Sequence, residues 1–297
     1  MTNPAQVIGI DLGGTAIKLG RYAETGLCLE VLTIATPQPA TPKAVAAAMV
    51  TAIDQLAPDR QVRAIGIGTP GPADAAGRVA RVAINLEGWQ DVPLAEWIET
   101  QTGLPTALAN DANCAGLGEA WLGAGCDFSN LIVLTLGTGV GGAIILDGQL
   151  FVGHTGTAGE LGLITLNPEG PPCNSGNRGS LEQHCSVQAI RREMDCEPGK
   201  LAAQALAGDA TAIAYWQQYG RYLGAGLASL IYVLTPEAII LGGGISAGAD
   251  LFLPTVWQEI EQRVLPSSRE GLQLLIAKLG NQAGVAGAAR LALQKFC

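Results

Sequence analysis

Two glycine-rich turns carry the residue types best suited to hold phosphate. The first turn, Gly13-Gly14-Thr15, comes shortly after Asp11, which ends an apolar run that favours a buried strand. A carboxylate in that position can hold hydrated Mg²⁺, while the turn amides and the Thr15 hydroxyl can bind phosphate oxygens. The alternative interpretation is that Asp11 only caps the turn.

The second turn lies in Gly137-Thr138-Gly139-Val140-Gly141-Gly142, which matches the dinucleotide-binding pattern GxGxxG. That pattern requires a helix directly after the glycines, because the pyrophosphate sits at the helix N-terminus. Here a β-branched run, 142–147, leads into an Asp-Gly hairpin signal, so we exclude a Rossmann site. A glycine hairpin still presents N–H groups to phosphate. The two turns lie about a domain length apart, which indicates that one structural unit occurs twice in the chain. Two such units facing each other would form a cleft.

Asp111 is the candidate general base. It stands in Ala109-Asn110-Asp111-Ala112, directly before a predicted helix. In one interpretation it is the N-cap of that helix, since aspartate is among the residues preferred there. In the other it lies at the mouth of the cleft and accepts a proton from an attacking hydroxyl group. We do not expect one carboxylate to serve both roles fully.

Two further segments carry side chains suited to sugar hydroxyl groups. Asn85, in the segment 85–89, offers an amide that both donates and accepts hydrogen bonds, although Asn also marks ordinary turns. Glu160 stands among small residues in 156–162, either as a solvated loop acid or as a carboxylate that binds two hydroxyl groups. His154 and His184 are far apart in sequence, which gives no support to a metal site or a Ser-His-Asp triad.

The composition limits the classes of function. The 297 residues, 48% hydrophobic and 14% charged, suffice for two globular domains. A net charge of −9 without basic runs argues against general nucleic-acid binding. We expect no signal peptide and no membrane span, because the N-terminus lacks a basic region and the most apolar stretch, 227–234, is stopped by Pro236. Seven scattered cysteines favour a reducing, cytoplasmic location.

Glycine is the outlier of the composition, with 40 residues where average usage gives roughly 21. About half of them lie in segments that we expect to face ligands. These segments are 9–20, 66–71, 137–142, 153–162, 242–248 and 284–287.

Short apolar runs alternate with helical patterns, which is typical of an α/β protein. The predicted strands are 7–11, 18–23, 63–68, 106–109, 131–136, 142–147 and 238–241. The predicted helices are 43–56, 93–101, 112–122, 211–234 and 285–295, and the chain after Ser180 is expected to be mostly helical. We place residues 1–109 and 285–297 in an N-terminal α/β domain, and residues 110–284 in a C-terminal α/β domain with a larger helical part.

Together, in this order and over essentially the whole length, these motifs resemble the ROK family of bacterial sugar kinases, most closely its glucokinases. Gly68-Thr69-Pro70-Gly71 is similar to the family's GxPG loop, 85–89 to NLxGW, Asn110-Asp111 to its ND pair, 156–160 to GxAGE, and Gly242-Gly243-Gly244 to the glycine cluster near the adenosine. The resemblance implies an actin-like (ribonuclease H-like) ATPase fold in which two α/β domains close over sugar and ATP with Mg²⁺. It also implies a homodimer.

The resemblance assigns roles to individual residues. Asp111 would be the catalytic base, and Asp11 would hold Mg²⁺ through water. The implied sugar-binding residues are Gly71, Asn85, Asn110, Asp111, Glu160 and Glu182. The implied ATP-binding residues are Asp11, Gly13, Gly14, Thr15, Lys18, Gly137, Thr138, Gly139, Gly243 and Gly244.

The sequence departs from the family at its zinc motif. Family members usually carry GExGH followed by CxCGxxGCxE, in which one His and three Cys bind structural zinc. Here Leu163 replaces the histidine, and Ser175 and Ser180 replace two of the cysteines. Cys173 alone cannot supply the four ligands of a tetrahedral site, so we predict no structural zinc. The absent histidine would also have touched the sugar, a contact that Glu160 and Glu182 would have to supply.

The resemblance predicts transfer of the γ-phosphoryl group of ATP to the 6-hydroxyl group of glucose. A polyphosphate-dependent gluco- or mannokinase is an alternative, because Lys18 and the segment 36–42 are similar to those enzymes. Mannose and N-acetylhexosamines are alternative acceptors. A sugar-sensing protein without activity is a further alternative, and a ROK repressor is disfavoured because its winged-helix segment would have to precede the first phosphate motif.

Overall fold

The protein alternates strands and helices, and the computed structural model describes residues 5–58, 61–83 and 86–297. The strands are β1 (Gln6–Leu12), β2 (Ala16–Ala23), β3 (Cys28–Ala35), β4 (Val62–Thr69), β5 (Ala80–Val82), β6 (Gln90–Val92), β7 (Thr106–Asn110), β8 (Leu131–Leu136), β9 (Val140–Leu146), β10 (Gln149–Leu150), β11 (Ala238–Gly242) and β12 (Gln273–Ile276). The helices are α1 (Pro42–Leu56), α2 (Leu94–Thr102), α3 (Asp111–Leu122), α4 (Leu181–Cys185), α5 (Val187–Met194), α6 (Pro198–Leu206), α7 (Ala210–Leu234), α8 (Leu253–Arg263) and α9 (Ala283–Phe296). This order confirms the α/β class.

The first sheet brings candidate residues from three strands to one edge. Its strand order is β3-β2-β1-β4-β7, with β1 antiparallel to β2 and β1, β4 and β7 mutually parallel. In this register Asp11 lies opposite Gly68, and Thr69 lies opposite Asn110. Because parallel strands end at the same edge of a sheet, the carboxyl ends of β1, β4 and β7 hold these residues side by side.

Apolar side chains cover both faces of this sheet. Strands β1 and β4 are buried along almost their whole length, and their sequences are correspondingly near-continuous apolar runs. On one face they pack against α1 and α2, where Met49 and Ile98 are fully buried. On the other face α9 contributes Ala286 and Ala289 to a second cluster.

Helix α9 approaches the sheet and α3 so closely that only glycine fits at the points of contact. A Cβ at Gly66 in β4 would overlap the carbonyl oxygen of Ala288, and one at Gly287 in α9 would overlap the carbonyl oxygen of Cys114. Such backbone-to-backbone approach gives dense packing. The expectation that residues 66 and 287 lie in segments facing ligands is therefore wrong for these two glycines, which serve helix packing.

The chain divides into two compact units. The first comprises Met1–Ser129, Ala143–Gly159 and Lys278–Cys297, and the second comprises Asn130–Gly142 and Glu160–Ala277. The sequence expectation placed the change near residue 110. Helix α3, which directly follows that residue, instead groups with the first unit because it lies along α9.

The second unit is built around three parallel strands and the long helix α7. Strands β8, β11 and β12 lie side by side in that order, with Gly242 opposite Thr135. The core of this unit contains an aromatic cluster in which Trp216 and Tyr219 of α7 pack on Phe252, with ring centroids 5.8 and 5.0 Å apart. This packing explains why α7 carries large aromatic residues along its buried stripe.

All twelve elements predicted from the sequence are confirmed. Strands β3, β5, β6, β10 and β12 were not predicted, and helices α4, α5, α6 and α8 were predicted only as part of a mostly helical region after Ser180. Strand β3 is an edge strand whose side chains are mostly exposed, including Val31 at 69%, so it lacks the alternating burial that marks a strand in sequence. None of the helices in the described ranges is both long and apolar enough to cross a membrane.

Candidate active site

The first glycine turn joins β1 to β2 and exposes its tip. The Gly13 N–H donates to the Ala16 carbonyl oxygen at 3.0 Å, and Gly14 and Thr15 are exposed. Thr36 fixes the turn from the side, because its hydroxyl donates to the Gly13 carbonyl at 2.7 Å and its N–H donates to the Thr15 carbonyl at 3.0 Å. The Gly13 and Thr15 carbonyl groups of the turn thus accept hydrogen bonds from Thr36. With these acceptors already engaged, the turn suits a site for an anion.

Asp11 lies next to a cation and a second carboxylate. Its partner across the antiparallel pair is Lys18. Burial raises the pKa of Asp11, the Lys18 charge partly lowers it, and the Asp111 charge raises it further. A Cβ at Gly284, near the start of α9, would lie 3.1 Å from Asp11 Cγ. The structure thus brings Asp111, which belongs to a separate sequence motif, close to Asp11 and Lys18.

Asn110, not Asp111, caps helix α3. The Asn110 Oδ1 accepts the N–H of Ala112 at 2.9 Å and that of Asn113 at 3.3 Å. Asp111 is the first residue of the helix, is exposed, and accepts the Ala112 N–H through Oδ1 at 2.8 Å. The N-cap interpretation of Asp111 is therefore wrong, because the preceding asparagine fills that position.

The electrostatic environment of Asp111 suits a base. Although the residue reaches solvent, the protein packed around its carboxyl group desolvates the charged form and raises the pKa, while hydrogen bonds from the Ala112 N–H and the Asn110 side chain lower it in part. Cys114 is fully buried one turn further along α3, and its pKa is raised well above the usual range by burial and by the charges of Asp11 and Asp111. A carboxylate whose pKa is raised binds a proton more strongly and is a better general base.

Thr69 fixes the loop that follows β4. Its side chain is fully buried, and its hydroxyl oxygen lies 3.1 Å from the Gly71 carbonyl and 3.2 Å from the Ala109 carbonyl. Gly71 has a φ of +143°, and a Cβ there would overlap the carbonyl oxygen of Val82. The loop is thus held against β7, beside the start of α3. Asn85, the other sugar-binding candidate from this part of the chain, lies outside the described residues.

The second glycine turn joins β8 to β9 and is bound by Glu182. The Gly137 N–H donates to the Gly139 carbonyl at 2.9 Å, and the Val140 N–H donates to Glu182 Oε2 at 3.0 Å. Thr138 is exposed at the tip. A strand follows the glycines, which confirms the hairpin and excludes the Rossmann interpretation.

Glu160 lies directly before a single 3₁₀ turn, Leu161–Leu163, and its carbonyl accepts the Leu163 N–H at 3.0 Å. Its side chain is exposed. The amide of Asn177 links this turn to the Pro- and Gly-rich loop 165–180, because its Nδ2 donates to the Leu163 carbonyl at 2.8 Å and to Thr165 Oγ1 at 3.0 Å. An asparagine side chain therefore joins the segment of Glu160 to the loop that leads to Glu182.

The position of the family's zinc motif is occupied by a loop with one buried thiol. Cys173 is 9% exposed and forms no disulfide. Within residues 5–58, 61–83 and 86–297, no group of three or more His, Cys, Asp or Glu side chains could hold a metal ion. The absence of structural zinc stays a prediction that metal analysis can test.

The glycine cluster after β11 opens onto a cavity in the second unit. Gly243 has a φ of +84°, and a Cβ there would overlap the Leu136 carbonyl oxygen, so this glycine lies against the end of β8. From Gly244 a cavity of about 250 Å³ extends past Ala202 to Trp216. The Trp216 Nε1 is buried without a hydrogen-bond partner in the described part of the chain. The lining of this cavity is mostly apolar.

Three polar residues that hold these segments in place were not assigned roles from the sequence: Thr36, Thr69 and Asn177. Their hydrogen bonds span 23 positions from Thr36 to Gly13, 40 from Thr69 to Ala109 and 14 from Asn177 to Leu163. A local pattern does not reveal such pairs. The one available signal was the place of Thr69 directly after the predicted strand 63–68, where a buried polar side chain must find a partner.

The chain matches the family model described as ROK family over residues 7–295. A relative named glucokinase, from Halalkalibacterium halodurans, is 36% identical over 314 aligned positions that cover 97% of this chain and 95% of that protein.

Two solved structures are similar over nearly the full length. A ROK hexokinase from Thermus thermophilus has a TM-score of 0.87 at 35% identity, with 98% of each chain covered. A ROK family glucokinase from Streptomyces griseus, in complex with glucose and AMPPNP, has a TM-score of 0.77 at 33% identity, with 98% of this chain and 100% of that chain covered. The fold is the two-domain α/β fold of the actin-like ATPases, and the chain belongs to the ROK family.

Proposed function

We propose that the protein is an ATP-dependent glucokinase, which transfers the γ-phosphoryl group of ATP to the 6-hydroxyl group of glucose. The observation that carries the proposal is the arrangement at the start of α3, where Asn110 caps the helix and desolvation raises the pKa of the adjacent Asp111. The full-length similarity to a glucokinase and to a structure that contains glucose and AMPPNP supports the same activity.

Asp111 is the proposed base. Its carboxylate accepts the proton of the sugar hydroxyl group as that oxygen attacks the phosphorus atom, and the ADP β-phosphate leaves with the electrons of the broken P–O bond. Asn110 fixes the first turn of α3, and the fully buried Thr69 holds the preceding strand end. These groups thus fix the backbone on both sides of the base before the reaction begins.

The two glycine turns are the proposed phosphate sites. These turns are Gly13-Gly14-Thr15 and Gly137-Thr138-Gly139; Gly14, Thr15 and Thr138 are exposed at the tips and can offer N–H and hydroxyl donors, and Lys18 adds a positive charge beside Asp11. Donors fixed in advance stabilise the charge that develops on the transferred phosphoryl group. Backbone donors also explain how a chain with a net charge of −9 can bind an anionic nucleotide.

Mg²⁺ is the proposed metal, associated with Asp11 through water. The fit rests on charge, since the Asp111 carboxylate raises the pKa of Asp11 and so disfavours its charged form, and a cation relieves that repulsion. When bound, Mg²⁺ would neutralise charge on the phosphate oxygens. A carboxylate that acts through water needs no closed set of protein ligands, which agrees with the absence of such a set among the described residues.

The sugar is proposed to contact Gly71, Asn85, Asn110, Glu160 and Glu182 in addition to Asp111. Gly243 and Gly244 are proposed to lie at the adenosine, next to the cavity of about 250 Å³. We also propose a homodimer in the cytoplasm. The cysteines of the described chain are all free thiols, which is consistent with a reducing compartment.

A coupled assay for ADP tests the function. We expect glucose-dependent turnover with ATP that exceeds turnover with mannose, N-acetylglucosamine or N-acetylmannosamine, and no turnover with polyphosphate as donor. Faster turnover with another hexose or with polyphosphate would replace the proposed substrate pair. Turnover with none of them, despite tight sugar binding, would identify a sensor without catalytic activity.

A further inference from the structure

Glu182 makes a backbone contact that sugar binding does not require. Its Oε2 accepts the N–H of Val140 at 3.0 Å, at the first residue of β9. A Cβ at Gly139 would overlap the same oxygen atom, so the glycine at this position leaves room for the carboxylate. Glu182 and the second glycine turn are therefore in direct contact.

The peptide groups of this turn are fixed from several sides. Gly162, in the 3₁₀ turn after Glu160, lies so close that a Cβ there would overlap the Val140 carbonyl oxygen. At the other end of the turn, the Val187 N–H at the start of α5 donates to the Gly137 carbonyl at 2.8 Å. The segments that carry Glu160 and Glu182 thus both rest on the backbone of Val140.

We propose that Glu182 is a positioning residue for the nucleotide as well as a contact for the sugar. Its carboxylate holds the Val140 amide and thereby fixes the second glycine turn in the shape that binds phosphate. This inference rests on the proposed function. It adds that a residue assigned to the sugar sets the affinity for ATP even when no sugar is bound.

Two oxygen atoms allow the two roles. Oε2 is engaged by the backbone, and a carboxylate accepts several hydrogen bonds, so the group can bind a sugar hydroxyl without releasing Val140. A hydrogen bond to a charged acceptor stabilises more strongly than a neutral one, which makes a glutamate more effective here than an uncharged side chain.

Three variants separate the roles. Glu182→Ala removes both contacts. Glu182→Gln keeps an amide oxygen that can accept the Val140 N–H, but it removes the charge and the second acceptor. Glu160→Gln changes a second proposed sugar contact, on the 3₁₀-turn segment and not on the helix that carries Glu182. Glu193→Gln, an exposed residue of α5, is the matched control for the loss of one negative charge.

The measurement is the dissociation constant of AMPPNP with Mg²⁺ and without sugar, by calorimetry, together with the KM for glucose. We expect Glu182→Ala to weaken AMPPNP binding about ten-fold, because a hydrogen bond to a charged group is lost. Glu182→Gln should bind AMPPNP within about two-fold of wild type while its KM for glucose rises about ten-fold. Glu160→Gln should change only the KM for glucose, and Glu193→Gln should change neither quantity.

Wild-type affinity for AMPPNP in Glu182→Ala overturns the inference, as does equal weakening in Glu182→Ala and Glu160→Gln. If Glu182→Ala does not fold by circular dichroism, Glu182→Asp replaces it, because the shorter side chain withdraws the carboxylate from Val140. Hydrogen exchange at the Val140 amide is the second measurement. It should be slow in wild type and Glu182→Gln and faster in Glu182→Asp, and equal rates in all three overturn the inference.

The outcomes distinguish this inference from the proposed function. A wild-type protein that binds no AMPPNP and phosphorylates no hexose contradicts the proposed function, whatever the exchange rate at Val140. A wild-type protein that is an active glucokinase, but whose nucleotide affinity does not respond to Glu182, contradicts only the inference.

Discussion

Asn110 and Asp111 divide two tasks between neighbouring side chains: Asn110 caps helix α3 through the N–H groups of Ala112 and Asn113, and Asp111 carries the negative charge at the first helical residue. The first turn of a helix favours a negative charge. Desolvation of the Asp111 carboxyl group by the surrounding protein opposes this effect, and the net result is a raised pKa.

Replacement of Asp111 by Asn tests the base. We expect kcat to fall about 10²- to 10⁴-fold, since the amide cannot accept the proton of the hydroxyl group. The dissociation constant for AMPPNP should stay within about three-fold, because the phosphate donors remain. The coupled ADP assay and calorimetry give the two values, with Asp127→Asn, an exposed residue of the same unit, as the matched control. A kcat near that of wild type would remove Asp111 from the mechanism.

The cap role of Asn110 can be separated from its proposed contact with the sugar. Asn110→Ala should lower the free energy of unfolding by about 0.5 to 2 kcal/mol, because the N–H groups of Ala112 and Asn113 lose their acceptor. Asn110→Ser should restore most of that stability, since serine also caps helices well, but it should leave the KM for glucose raised. Denaturant unfolding and steady-state kinetics are the measurements. Recovery of both quantities in the serine variant would mean that Asn110 acts only as a cap.

The raised pKa of Asp111 has opposite consequences for activity and for stability. The folded protein binds the proton more tightly than the unfolded chain, so stability falls as the pH rises from the ordinary Asp value of 3.8 through the raised pKa. Asp111→Asn should therefore raise the Tm at pH 7 by about 1 to 3 °C and lose this advantage below pH 3.8. The kcat/KM of the wild type should fall as the pH decreases through the raised pKa. A Tm difference that does not change with pH would contradict the assignment.

The loop 165–180 is expected to hold its shape without metal. Purified protein should contain far less than one zinc per chain by elemental analysis, and EDTA should not change the Tm of the protein without nucleotide. Asn177→Ala should lower the Tm, because its bonds to the Leu163 carbonyl and to Thr165 are lost. Stoichiometric zinc, or a fall in Tm on chelation, would contradict the prediction.

The close contact of α9 with the sheet predicts an intolerant position at Gly66. Gly66→Ala would place a methyl group on the carbonyl oxygen of Ala288, and we expect a loss of at least about 3 kcal/mol of stability or a failure to fold. Gly199→Ala, in α6, meets nothing within 4 Å and should raise stability by about 0.5 to 1 kcal/mol. Thermal unfolding compares the two variants, and similar Tm values would contradict the close packing.

Local patterns in the sequence predicted the features that depend on neighbouring residues. Asp11 next to its glycine turn, the strand after Gly137–Gly142 and the helix after Asp111 all follow from the order of residue types, and each element is present. The contact of Glu182 with Val140 spans 42 positions, and neither residue type indicates such a contact in the sequence. Gly66 looked like a ligand-facing residue, because a glycine required by helix packing and one required by phosphate cannot be distinguished from composition.

The position of α9 in the chain also constrains how the protein forms during synthesis. The first unit takes its last segment from Lys278–Cys297, whereas the second unit lies entirely between Asn130 and Ala277. On the ribosome, the sheet formed by β1, β4 and β7 must wait for the final helix to cover its second face, while the second unit is already complete. We therefore expect the second unit to fold first and the N-terminal segment, although made earlier, to finish last. Loss of the final turns of α9 would leave the apolar face around Val7 and Ala64 exposed, a state prone to aggregation.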